Sequence, residues 1–291
     1  MTMTVDTPLV TEQRTKAPVG RLLRSELRFM FRRPRTLVAL GLMVIGPILA
    51  GIAMAVASDI PTTGGPNDQA IEGVAALVSD NGLILPVFVL MLCMVMLLPM
   101  LGAMWSADAL AGETASGALR GLLLAPVSRV RLLAVKAFGV AVLTFTAVAI
   151  LTVVGIIAGV TILGGDGLLT MSGNVLPVGE SLGRIAFMAV LVTIQVWAVA
   201  AIALAISAAT EHPLVVMAAA LGGIIVFTIL NNISALDWLH PFLLTDGWNS
   251  LVDVLRDPMP TGEINEGLLR AVCYIVIGYS LALARMSTKD G

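Results

Sequence analysis

Six stretches of the chain carry no Asp, Glu, Lys or Arg: Thr36–Ala57, Leu83–Met104, Ala137–Leu163, Ile185–Ala209, Leu214–Leu230 and Ala271–Ala284. Each is apolar throughout rather than alternating, and most reach the ~20 residues a helix needs to cross bilayer hydrocarbon. The last is short and borrows Gly267, Leu268 and Leu269, with Arg270 snorkelling towards the headgroups. Continuous apolarity argues against a β-barrel, whose strands alternate. The pattern predicts an all-α membrane protein with six transmembrane helices. Pro86 and Pro99 in the second run predict a kink or end turns there. Gly155-Ile-Ile-Ala-Gly159 in the third is a small-residue pattern that lets helices approach closely.

Two polar connections carry helical patterns of their own. From Arg21 to Arg33, Arg21, Arg24, Arg28 and Arg32 fall on one face at ~100° per residue, with Leu23, Leu27, Met30 and Phe31 opposite. Pro34 ends that helix, which is predicted to lie in the membrane interface with its arginines towards lipid phosphates. The second connection, Trp105 to Lys136, is polar through Asp108, Glu113 and Arg120 and greasy through Leu119 and Leu122 to Leu124. Pro126 and Ser128 stop one helix and start the next, and Arg129, Arg131 and Lys136 are expected at headgroup level. A connection this long exceeds what joining two spans requires, so it reads as a docking surface. Between the fifth and sixth runs, Trp248, Leu251, Val252 and Leu255 recur at helical spacing and predict a re-entrant or surface helix.

Composition agrees: 58% of residues are hydrophobic and 12% charged. The net charge of −2 hides an asymmetry. With the N-terminus placed inside, the inner segments hold fourteen lysines and arginines and the outer ones three, Arg184, Arg256 and Arg270. The positive-inside rule then puts both termini in the cytoplasm of a multi-pass cell-membrane protein. Most acidic residues fall in the outer loops, and the inner basic surface suits anionic lipid headgroups better than nucleic acid. The first 35 residues are polar and basic and the following run is too long for a signal h-region, so the first helix reads as a retained anchor. The expected organisation is a cytoplasmic N-terminus over 1–35, a six-helix domain over 36–284 with inner loop 105–136 and outer loop 231–267, and a tail over 285–291.

Candidate chemistry is sparse. No Gly-x-x-x-x-Gly-Lys-Ser/Thr cradle for phosphates occurs, and Gly164-Gly165-Asp166 reads as a turn. His212 and His240 stand beside prolines without metal-ligand spacing, and Cys93 and Cys273 read as packing residues. No metal or cofactor is expected. Charges are missing from the span centres, which disfavours an ion-coupled secondary transporter. Gln195 is the one strongly polar side chain deep in a span; it reads as an interhelical hydrogen bond, with a substrate contact as the alternative. Asn231 and Asn232 mark the end of the fifth span.

The inner loop resembles that of type-2 ABC transporter permeases, the membrane subunits of ABC exporters. The shared pattern is Asp108, Gly112-Glu113, Gly117, Leu119, Leu122 to Leu124, Pro126, Ser128-Arg129 and Lys136, with Ala118 where that family often has threonine. The resemblance implies a cytoplasmic coupling helix in this loop, docked on a separate ABC-type ATP-binding subunit, with the basic helix nearby. It also implies a second permease subunit and no ATP hydrolysis by this chain. Asp108, Glu113, Arg120, Pro126 and Arg129 are the expected coupling residues, Glu113 foremost. A membrane scaffold that recruits a cytoplasmic protein through the same loop is the alternative, and a secondary transporter comes third.

Overall fold

The computed structural model describes residues 19–59, 81–115, 128–165 and 167–288. Five of its helices are long and apolar enough to cross a membrane, and a helix pair bent by 55° brings the number to six if the pair counts as one span.

Helix α1 (Val19–Phe31) exposes Arg21, Arg24, Arg28 and Arg32 and buries Met30. Pro34 is the first residue of α2 (Pro34–Asp59), where a missing N–H breaks no helical bond. The second crossing is α3 (Ile84–Val95) followed by α4 (Leu97–Ala109), bent by 55°. The break falls at Met96 (φ −147°, ψ −45°). Pro99 accounts for it, because it offers no N–H to the Val95 carbonyl and its ring crowds that oxygen. A second break at Leu110 (φ −121°, ψ −62°) starts α5 (Ala111–Ala115). Ser207 relieves that break: its hydroxyl accepts from Ala111 N–H at 2.9 Å and donates to the Ala107 carbonyl at 3.3 Å.

Helix α6 (Arg129–Ala158) is capped by Ser128, whose hydroxyl accepts from Arg131 N–H, and runs on as a π-helical turn to Leu163. The Gly155–Gly159 pattern packs against the start of α3. A Cβ on Gly155 would lie 2.9 Å from Pro86 Cα, and one on Gly159 would lie 2.0 Å from the Gly82 carbonyl oxygen, so only glycine fits. A short antiparallel hairpin follows, β1 (Gly167–Leu169) on β2 (Val175–Pro177), with Leu168 opposite Leu176. It is a small addition to the otherwise all-α architecture.

Helix α7 (Val178–Ala209) is the centre of the bundle, the most buried of the five single-helix crossings, with α10 (Thr261–Thr288) along one side and α4 along another. Trp197 of α7 donates to Thr144 of α6 at 2.8 Å, and Ser106 of α4 donates to the Ala200 carbonyl at 2.9 Å. Helix α8 (Pro213–Asn231) is the least buried, and Asn232 bonds back to the Thr228 carbonyl at its end.

Between α8 and α10 the expected single amphipathic helix is instead three short pieces. These are a 3₁₀ segment Ser234–Phe242, α9 (Asp246–Asn249) and a 3₁₀ segment Ser250–Leu255. Positions i and i+3 eclipse in a 3₁₀ turn, so Leu251 buries with Val254, whereas Val252 is only half-buried. Arg270 holds this segment through Asp246 (2.8 Å) and the Leu243 carbonyl (3.1 Å). Arg184 holds it through Asp257 (3.0 Å) and the Arg256 carbonyl (2.7 Å).

Candidate functional site

The basic end of the bundle gathers α1, α4, α5 and the start of α6 around a buried ionic cluster. Lys136 sits in the third turn of α6, 2% exposed. It is a buried charge rather than one open to its surroundings, because α1 and α5 cover it. Its ammonium donates to both carboxylate oxygens of Glu26, at 2.9 and 3.0 Å, and to Glu113. Glu26 is the acid on the otherwise apolar face of α1, where the 3.6-residue repeat turns it inward with Met30. The approach of α1 to α6 is close: a Cβ on Gly139 would lie 2.5 Å from Met30 Sδ.

Arg33, in the turn after α1, adds a second cation. It contacts Asp108 Oδ2 at 3.4 Å, donates to the Asp108 carbonyl at 3.4 Å, and stands 3.9 Å from Glu113. Its guanidinium also stacks over Phe29, 4.4 Å from the ring centre. Arg35, mostly exposed, reaches Asp108 Oδ1 at 3.5 Å. The carboxylates of Glu26, Asp108 and Glu113 thus face Lys136, Arg33 and Arg35, which leaves the cluster near neutrality. That balance is what low-dielectric burial demands.

Among the expected coupling residues, Asp108 and Glu113 both belong to this cluster and turn inward, with Glu113 5% exposed. Arg129 stands apart. Its guanidinium donates to the carbonyls of Met286 (2.8 Å) and Ser287 (3.1 Å), fastening the start of α6 to the end of α10, where a cation also meets the helix dipole. Arg120 and Pro126 lie outside the described residues. Arg21, Arg24, Arg28 and Arg32 point away from the cluster into the surroundings. Gln195 lies far from it; its amide donates to the Gly267 carbonyl of α10 at 3.1 Å.

The linear pattern assigns Glu26 and Arg33 no site role and places Lys136 at headgroup level, as part of the loop motif. The signal for Glu26 was present: an acid at the i−4 position from Met30, on the face that should be greasy. Nothing in the linear pattern indicated that Lys136 would meet it, since the two stand 110 residues apart.

Long apolar helices and a structured, charge-locked end define a multi-pass membrane protein. The ABC-2 family transporter protein family matches residues 21–258, from the first arginine of α1 to the segment between α8 and α10, and the chain belongs to that family. It is therefore a permease subunit of an ABC transporter, a kind of membrane subunit that associates with an ATP-binding subunit. Comparison with curated proteins gave no match.

Proposed function

We propose that the chain is one half of an ATP-driven exporter, which pairs with a second permease subunit and docks its ATP-binding subunit on the loop 105–136. In this reading both termini and the basic end face the cytoplasm, and Arg21, Arg24, Arg28 and Arg32 lie against anionic lipid headgroups. The observation that supports the docking surface is the ionic cluster. It ties α1 to both ends of one loop, through Asp108 and Glu113 before it and Lys136 after it. A push on the loop is then delivered to spans two and three and to α1 together, rather than lost in bending.

Its burial supports an indirect role for Glu113: in this reading it holds α5 against α6 and α1, so that the loop is presented to the ATP-binding subunit in one geometry. Asp108 does the same for the end of α4, and Arg129 for the junction of α6 with α10. Arg120 and Pro126 belong to the contact surface itself.

The test is purification of the full chain with and without its cognate ATP-binding subunit. The chain alone is expected to show no ATPase activity above background, and the complex to show it. Glu113→Ala leaves Lys136 paired with Glu26, so membrane insertion persists, while loss of the charged contact, worth ~2–5 kcal/mol in a desolvated setting, weakens co-purification or uncouples hydrolysis from transport. Robust hydrolysis by the chain alone, or a Glu113→Ala complex that assembles and transports as wild type, overturns this reading.

A further inference from the structure

Helix α1 carries opposite chemistry on its two faces. One face closes on α6 through Glu26, whose two carboxylate oxygens accept from the Lys136 ammonium at 2.9 and 3.0 Å, and through Met30, 3% exposed. The opposite face holds Arg21, Arg24, Arg28 and Arg32, and over them lies an open-sided hollow of about 550 Å³ lined by these four with Ser25 and Phe29. The ion pairs of α1 and the turn after it run through Glu26, Arg33 and Arg35; among the described residues the four arginines of the hollow enter none. Ser25 donates its proton to the Leu22 carbonyl at 2.8 Å, which leaves the arginines as the donors of the hollow.

Left bare, this face destabilises the helix. Arginines three and four residues apart are neighbours on a helix and repel, and a 13-residue helix is marginal without outside support. The row of cations therefore calls for anions, and its border selects the kind. Phe29 is half exposed beside the arginines, and Arg33 stacks over its ring at 4.4 Å while contacting Asp108 at 3.4 Å. Past the turn, Leu37 and Val38 of α2 are exposed as well. Fixed cations bordered by apolar surface match a ligand with an anionic head and an apolar tail. A free phosphate or an acidic peptide would leave that apolar border uncovered.

We propose that α1 binds anionic phospholipid on its arginine face and that the bound lipid holds α1 closed over Lys136. Lipid phosphates sit against Arg21, Arg24, Arg28 and Arg32, and the acyl chains run past Phe29. A ligand shifts α1 only if it binds the closed form better than the lifted one. Two features of α1 supply that difference. Closed, the helix is formed and its arginines align in one row. Lifted, the helix loses its support, and laying its other face on the membrane presses the Glu26 carboxylate against the same negative surface. Arg33 links the lipid face to the ionic cluster, because it bridges from the Phe29 ring to Asp108. Anionic lipid thus regulates the clasp that α1 places on the two ends of the 105–136 loop. The inference rests on the lipid contact proposed above and needs neither the export direction nor the ATP-binding subunit.

The test is amide hydrogen exchange of the full chain in nanodiscs of phosphatidylcholine alone or with about one-third phosphatidylglycerol. Exchange across residues 19–31 should slow at least about tenfold with the anionic lipid, the order expected when four juxtamembrane cations meet a negative leaflet. Exchange in α7 should not change. Inorganic phosphate at millimolar concentration, added to neutral discs, should not reproduce the slowing. Arg24→Gln combined with Arg28→Gln keeps good helix formers and should reduce the lipid response to less than about threefold, with exchange in neutral discs no faster than in wild type. Both leaflets carry the same lipid, so an inverted orientation, which a reporter inserted near Gly65 detects, leaves the exchange result as it is. A missing lipid response in a correctly oriented chain sinks this proposal alone. Equal exchange in the two discs, faster exchange with phosphatidylglycerol, slowing reproduced by free phosphate, a response undiminished in the double variant, or protection given by the ATP-binding subunit and not by lipid overturns it.

Discussion

Replacing Lys136 by methionine tests the ionic cluster at its centre. Methionine keeps the unbranched shape and removes the charge. The Lys136, Glu113 and Glu26 side chains are 2%, 6% and 12% exposed, so water does not take over the lost contacts. Glu26 and Glu113 are left close together, with the Arg33 guanidinium 3.9 Å from Glu113. Breaking a buried pair in this way costs about 3–5 kcal/mol. The least costly escape is for α1 to lift off α6 and return Glu26 to water, because the arginine face of α1 is already exposed. The loss should therefore appear as local opening. Amide hydrogen exchange across residues 19–31, measured on the reconstituted chain, should accelerate by roughly two to four orders of magnitude, at 1.36 kcal/mol per decade. The amides of α7 should stay protected. Adding Glu26→Gln to Lys136→Met removes the stranded carboxylate and should recover a large part of the protection, with an interaction energy of about 0.5–3 kcal/mol. Exchange in α1 unchanged within about threefold, or no recovery in the double variant, refutes the reasoning.

Three further outcomes are expected. A reporter active only in the cytoplasm should work when fused after Gly291 and stay silent when inserted near Gly65; activity at Gly65 reverses the proposed orientation. Gly159→Val puts a side chain where even a Cβ meets the Gly82 carbonyl oxygen at 2.0 Å, so it should separate α6 from α3 and sharply lower the yield of folded protein, whereas Gly41→Val, at a position with open space, should not. The Asn174 amide and then the Arg184 guanidinium hold the Asp257 carboxyl below its ordinary value of 3.8. Its contribution is therefore fully present above that value and lost as pH falls through the lower folded one. The melting difference between wild type and Asp257→Asn should be constant near neutrality and close only in strong acid; a difference that closes above pH ~5 contradicts the assignment.

The crossings were legible in the sequence because the bilayer imposes a one-dimensional rule. An uncharged apolar run of sufficient length has few alternatives, and the arginine face of α1 follows from helical period alone. Pro99 foretold the bend at Met96, and the two glycines of Gly155–Gly159 foretold a close approach, for reasons local to the backbone. The resemblance of the 105–136 loop to ABC permeases rested on a linear motif and led to the family to which the chain belongs.

The sequence could not say which charges would be paired, or with what. Glu26, Arg33 and Lys136 look like interface or headgroup residues when read along the chain. They become a buried cluster only because α1 folds across α6 and α5, and that packing depends on Met30 meeting Gly139. Glu113 stood out in the motif, yet its inward direction was set by the break at Leu110, which Ser207 of a distant helix accommodates. Periodicity and hydropathy act on neighbours in sequence, whereas burial of a charge is decided by which helices close over it.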